Sequence, residues 1–249
     1  EYVPVGLGEG NFTEEWLTDK SGNDIIAKKN PYYGEYTFHY WIWKNYISEI
    51  KNNWVGFCQY RKFWTLNKID DKEITLEELN SKILKKIPEE LNQYDSFIGE
   101  PFYVNQFRFM KFIKRNFKKI LFNPSFLFDE NKRTIKFHFD MWHGEGNLQK
   151  AIELLDHKEK NDFKEFTETN TFFNPHNMFI CKPEILLKYY ESIFPWLNRC
   201  EKVFGFENLK SFGLKRIYGF LAERYLSYWF KKYTNYKTLP IYFKDITHL

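Results

Sequence analysis

Apolar positions along this chain fall into short blocks whose spacing switches between strand and helix periods. Residues 2–6 read as a short extended segment that runs into a glycine-rich loop through Gly10. From Tyr32 to about Ile50 the aromatic residues, laid out at about 100° per residue, cover nearly every side of a helix, which predicts a buried one. Glu35 and His39 interrupt that pattern and lie four apart, so they share a face and could pair. Residues 54–58 predict an apolar strand, and residues 94–98 a second one, closed by Gly99-Glu100-Pro101. Between them, residues 65–92 are charged and helical in pattern, and Thr75 with Glu78 has capping-box spacing. Residues 105–122 mix Phe with basic groups, and Asn123-Pro124 breaks the pattern. Residues 137–143 alternate with period two, as an aromatic strand beside a polar loop would. Residues 146–168 predict a charged helix with turns, residues 171–181 a loop feeding a strand, and 184–204 and 213–232 long helices. Residues 239–243 read as an edge strand. The order predicts one α/β domain over 1–249 with helical elaboration.

The strand of residues 54–58 ends abruptly in Gln59, Tyr60, Arg61 and Lys62. In open α/β sheets, ligands bind just beyond the carboxyl ends of strands. Amide, phenol, guanidinium and ammonium groups delivered there suit an anionic, hydroxyl-rich ligand, because Arg forks onto phosphate oxygens and Lys supplies a point charge. An ordinary solvated turn is the other reading.

Composition narrows the class. The 249 residues are 43% hydrophobic and 28% charged, which are globular values. Aromatic content is high at 21%, a bias that an AT-rich genome or aromatic stacking on sugar rings would each produce. A net charge of +4 is too mild for a dedicated nucleic-acid binder. Three cysteines, with no C-x-x-C pair, fit a reduced, cytoplasmic protein. No apolar run reaches the roughly eighteen residues of a membrane span.

No P-loop or dinucleotide fingerprint is present, and the Gly6–Gly10 spacing is wrong for a dinucleotide turn. No zinc pattern and no D-x-D triplet occur. No metal ligands are assigned, although Mn or Mg stays open as a cofactor. Without a metal, charge on a leaving diphosphate must be met by Arg, Lys, Tyr or helix N-termini. His138, Asp140, His143 and Glu145 form a compact cluster that could bind a cation, supply a base, or be a polar loop. Arg224 falls in the middle of the apolar stripe Ile217, Phe220, Leu221, Tyr225 and Tyr228, so it is buried and needs a partner. It is either half of a structural ion pair, with Glu35 as one candidate, or an organiser of a Glu223 base or a phosphate ligand. The basic, Phe-rich stretch 107–119 reads as an amphipathic helix, ordinary or lying on anionic lipid headgroups.

Five blocks in fixed order carry a resemblance: Asn30-Pro-Tyr-Tyr-Gly-Glu35, Tyr40-Trp-Ile-Trp-Lys-Asn45, Val55-Gly-Phe-Cys-Gln-Tyr-Arg-Lys-Phe63, Asn177-Met-Phe-Ile180 and Gly219-Phe-Leu-Ala-Glu-Arg224. Together they resemble the bacterial domain-of-unknown-function group 4422, found in capsular-polysaccharide and O-antigen gene clusters. The resemblance implies an inverting, nucleotide-sugar-dependent glycosyltransferase, in some members with a galactofuranose donor. It implies a GT-A-like fold with a central, mostly parallel sheet, helices on its flanks and a helical C-terminal part, its first strand lying upstream of Glu1. The family usually reads His-Tyr-Arg-Arg where this chain has Gln59-Tyr60-Arg61-Lys62, so position 59 binds rather than reacts. It also carries His followed by Asp-Leu where this chain runs from His143 to Asn147-Leu148.

On that resemblance Glu223 is the expected general base, with Asp140 as runner-up. Tyr60, Arg61 and Lys62 are expected at the leaving diphosphate of a UDP-sugar, with Gln59 and Arg224 also on the donor side. Asn30 and Glu35 shape the nucleotide pocket, and His143, His176 and Asn177 take the acceptor side. The acceptor is a surface glycan, expected to be lipid-linked, with peripheral contact at the inner membrane and no nucleic-acid partner. A non-catalytic glycan-binding module and a capsule-decorating phosphotransferase built on His138, Asp140 and His143 are the alternatives.

Overall fold

The computed structural model describes residues 2–51, 53–71, 73–106 and 125–245. The basic stretch 107–119 lies outside them. The elements in chain order are β1 (Val5–Gly6), β2 (Leu17–Thr18), α1 (Asn30–Tyr33), α2 (Tyr36–Trp41), β3 (Val55–Gly56), β4 (Lys62–Trp64), α3 (Leu76–Lys82), β5 (Ser96–Gly99) and β6 (Phe102–Tyr103). There follow α4 (Ser125–Phe128), α5 (Ile135–His143), α6 (Asn147–Glu153), α7 (His157–Thr169), β7 (Phe172–Phe173), β8 (Phe179–Cys181), α8 (Pro183–Phe204), α9 (Phe212–Lys215), α10 (Ile217–Tyr233), β9 (Tyr236–Leu239) and β10 (Ile241–Phe243).

The central sheet has four strands in the order β3-β8-β5-β9. β8 runs antiparallel to both β3 and β5, and only β5 and β9 are parallel. The mostly parallel sheet expected from the resemblance is therefore corrected to a mixed one among the described residues. The reason is physical: β5 and β8 are buried along their whole length, and a continuous apolar run looks the same in either strand direction.

The aromatic helix predicted from Tyr32 exists in pieces. Gly34, at φ 59° and ψ −140°, separates α1 from α2, and α2 passes into a π turn over Ile42–Tyr46 and a 3-10 turn over Ile47–Glu49. The predicted capping box starts α3: Glu78 N donates to Thr75 Oγ1 at 3.1 Å, and Thr75 N donates to Glu78 Oε2 at 2.7 Å. The alternating segment 137–143 is not a strand but most of α5. Thr134 starts that helix by accepting from Phe137 N, and Ile135, Phe139 and His143 then fall on one buried i, i+4 face. Over so few residues, alternation and a helical face draw on the same positions.

Most of the aromatic surplus goes into the core. α8 and α10 pack together, and Tyr189, Tyr190, Trp196, Tyr218, Tyr225 and Phe230 are among its largest fully buried side chains. The phenols find partners there, as buried polar groups must. Tyr36 and Tyr189 hydroxyls pair at 2.6 Å, and the Tyr190 hydroxyl meets His39 Nδ1 at 2.8 Å. His39 is therefore spoken for and does not pair with Glu35. Among the described residues, no helix is long and apolar enough to cross a membrane.

Candidate functional site

A pocket of about 180 Å³ opens where four parts of the fold meet. The α1–α2 junction brings Gly34 and Glu35, the turn after β3 brings Gln59, and the loop before β8 brings His176 and Asn177. The start of α10 brings Gly219, Phe220 and Glu223, with Arg216 just ahead of it.

Glu223 anchors the inner wall. Its Oε1 accepts from His176 N at 2.6 Å and its Oε2 from Arg224 Nη1 at 2.5 Å. Burial pushes its carboxyl above the usual range, opposed by the Arg224 charge and the His176 hydrogen bond. Arg224 lies behind it, 2% exposed, with its guanidinium 4.2 Å from the Phe173 ring centre. It donates also to Phe220 O at 3.3 Å and meets His138 Nδ1 at 3.4 Å. The ion pair is thus with Glu223, not Glu35, and Arg224, expected on the donor side, lies behind Glu223 and does not line the pocket.

Glu35 forms the opposite acidic group. Its Oε1 accepts from Asn177 Nδ2 at 3.0 Å and from Gln59 Nε2 at 3.2 Å. Gln59 Nε2 also donates to His176 O at 2.9 Å, and Gln59 Oε1 accepts from Lys62 Nζ at 2.5 Å. Every hydrogen-bonding end of Gln59 is therefore engaged in holding the wall. Lys62 reaches the pocket through Gln59, and burial lowers its ammonium pKa against the pull of the Glu35 and Glu223 charges.

His176 and Asn177 both have positive φ, 79° and 52°. Consecutive left-handed residues other than glycine are costly and persist only where the surroundings fix them. Here the His176 backbone is clamped at both ends, its N–H by Glu223 and its carbonyl by Gln59. His176 lines the pocket, and burial, with help from Lys62, brings its imidazole pKa down to about 4. It is neutral at ordinary pH.

Other expected site residues lie elsewhere. Tyr60 is 64% exposed on the β3–β4 turn, with Arg61 stacked on its ring and paired with Asp245 at 3.5 Å. Neither lines the pocket. Asn30 supports it from behind, donating to Gly34 O at 2.9 Å. Asp140 accepts from Gly146 N at 3.1 Å and so shapes the α5–α6 turn. His143 is tied to Gly213 O at 2.9 Å and stacks on Phe220 at 4.0 Å between ring centres. His138 and His143 both lie near the Arg224 charge. Among the described residues, no three His, Cys, Asp or Glu side chains are grouped to hold a metal ion.

Four pocket residues were not expected: Gly34, Arg216, Gly219 and Phe220. Gly34, Gly219 and Phe220 sit inside blocks already singled out. For Arg216 the readable signal was a cation at the start of an apolar helix, where the helix dipole disfavours it.

Residues 1–235 match the family described as domain of unknown function (DUF4422). The chain belongs to that family. Four of the five blocks that carried the resemblance supply the pocket or its direct support, namely Asn30–Glu35, the turn at Gln59, Asn177 and Gly219–Arg224. Among solved structures the chain is similar to the apo structure of the bifunctional glycosyltransferase WbbM, with a TM-score of 0.69 and 22% identity. The likeness covers 97% of this chain and 42% of that one, so this chain spans less than half the length of that protein. The two share a fold over this region. No curated protein matches the chain.

Proposed function

We propose that this DUF4422 chain is a glycosyltransferase that moves a sugar from a nucleoside-diphosphate donor to a hydroxyl of a surface glycan. The observation that carries the reading is Glu223: a buried carboxylate on the pocket wall, fixed by two donors and raised in basicity by its surroundings. The fold shared with WbbM supports the reaction class. A general base must sit within hydrogen-bond reach of the proton it takes and have a pKa drawn toward the working pH. Glu223 meets the second condition by burial.

In the proposed step the acceptor hydroxyl attacks the anomeric carbon. The bond from that carbon to the diphosphate oxygen breaks, and its electron pair leaves with the diphosphate. The hydroxyl proton passes to Glu223. Attack opposite the leaving group inverts the anomeric centre. Asn177, Gln59 and Arg224 act as positioning residues, because they hold Glu35, His176 and Glu223 without reacting. UDP as the nucleotide, galactofuranose among the sugars and a lipid-linked capsular acceptor at the cytoplasmic face of the membrane are the finer parts of the proposal.

Thermal shift against UDP, UDP-sugars, GDP, CMP and ADP, each with Mn or with EDTA, tests it. Stabilisation grows as RT ln(1 + [L]/Kd), so even a weak donor registers at millimolar concentration. A shift with UDP or a UDP-sugar is expected. Glycan binding with no response to any nucleotide would replace the transferase reading with that of a binding module.

A further inference from the structure

The pocket holds a guanidinium with nothing to bind. Arg216 lines it together with two carboxylates, Glu35 and Glu223, yet forms no ion pair with either. Among the described residues its guanidinium takes part in no hydrogen bond. Glu35 is turned toward Asn177 and Gln59, and Glu223 toward His176 and Arg224. Both signs of charge thus line one small pocket without pairing across it.

The berth of Arg216 is specific. Its Nη2 lies 2.9 Å from where a Cβ on residue 34 would stand, and Gly34 has φ +59°. Glycine at 34 therefore does two things: it allows the left-handed turn that aims Glu35, and it leaves the space the guanidinium fills. Asn30 locks that turn by donating to Gly34 O. The backbone of Arg216 starts α10, accepting from Phe220 N at 3.1 Å, so the guanidinium stands at the positive end of a 17-residue helix. A cation gains nothing there from the protein itself, but an anion brought to that point would meet both the fork and the helix end.

We propose that Arg216 is the oxyanion-binding group of this pocket and that its ligand is the diphosphate of the sugar donor. The assignment of the anion as a diphosphate rests on the transferase reading; the anion site does not. As the anomeric bond breaks, negative charge grows on the diphosphate oxygens, and a bidentate guanidinium opposite them stabilises that charge. This moves the role expected of Arg61 to Arg216, because Arg61 does not line the pocket and is paired with Asp245.

Isothermal titration of the whole chain with UDP, uridine, inorganic pyrophosphate and glucuronate tests the proposal, for wild type, Arg216→Ala and Arg216→Lys. Loss of one charge-assisted contact predicts roughly 10- to 100-fold weaker UDP and pyrophosphate binding in Arg216→Ala, with uridine unchanged. Arg216→Lys recovers only part, because an ammonium lacks the fork. Unchanged melting and circular dichroism show that the variant folds, and Gly34→Ala, which invades the berth, gives the same loss if it folds. UDP binding that is equal in wild type and Arg216→Ala overturns the proposal, as does wild type that binds no anion, or a loss that is equal for uridine. Arg216-dependent glucuronate binding without UDP binding overturns the diphosphate and points to an acidic sugar. Arg216-dependent pyrophosphate binding with no response to any nucleotide keeps the anion site and refutes the transferase reading.

Discussion

Lowering the pH must unfold this protein partly through His39. The imidazole is 2% exposed, its Nδ1 is hydrogen-bonded to Tyr190 and its ring packs against Phe57 and Phe179. Burial brings its pKa from 6.5 down to about 3, with no carboxylate near enough to oppose it. Because the folded value is depressed, the unfolded chain binds the proton first. The neutral ring thus keeps its full contribution above the unfolded value near 6.5 and loses it as pH falls toward 3. At pH 5 the unfolded imidazole is almost fully charged and the folded one almost fully neutral, a ratio of about 30, or about 2 kcal/mol. His143, also brought down to about 3 by burial and then by the Arg224 charge, repeats the effect. The pair removes about 4 kcal/mol by pH 5, a large part of the roughly 5–15 kcal/mol a domain has. The assay is urea unfolding followed by tryptophan fluorescence at pH 8, 6.5 and 5, for wild type and His39→Gln. Gln keeps a partner for Tyr190 but cannot titrate. Between pH 8 and 5 the wild type will lose about 2 kcal/mol more than the variant. Parallel losses would refute the reasoning, and so would an NMR titration placing the His39 pKa near 6.5.

Three further outcomes follow from the geometry. Glu223→Gln lowers turnover by about two orders of magnitude or more with donor affinity retained, and in wild type the acid limb of the rate profile lies above the ordinary glutamate value, since only the ionised form accepts a proton; steady-state kinetics across pH reads both. Arg224→Met leaves a buried carboxylate unpaired and costs about 3–5 kcal/mol, while adding Glu223→Gln recovers part of it, so a neutral single variant in urea unfolding contradicts the ion pair. Thr75→Ala removes the α3 capping box and costs about 1 kcal/mol by urea unfolding with kinetic constants unchanged.

Local rules made much of the fold legible. The Thr75–Glu78 box follows from a local cap, and the buried strand at 96–99 and the long helix at 183–204 follow from periodicity within one segment, while the helix expected over 213–232 is broken at Arg216 into α9 and α10. Strand direction does not lie within one segment, which is why β8 escaped. Residues 135–143 escaped because a threonine cap decided between two periods that shared the same apolar positions. For the site, Glu35, Gln59, His176, Asn177 and Glu223 were all singled out, and the fold brings them to one pocket. Lys62 and Arg224 touch its wall from outside. Arg61 is drawn off by Asp245, nearly two hundred positions along the chain, and no local pattern carries such a pairing. Arg216 is the converse case. The cation at the start of α10 is visible in the sequence, but the space it fills is left by Gly34 in another helix junction, which no pattern around residue 216 carries.

The helix that opens at the pocket closes in the core. α10 carries Gly219, Phe220 and Glu223 on the pocket and Tyr225, Leu226, Trp229 and Phe230 in the buried core. One helix thus ties the pocket wall that bears Glu223 to the buried core, so a substitution that loosens the packing around Trp229 or Phe230 reaches the pocket through α10.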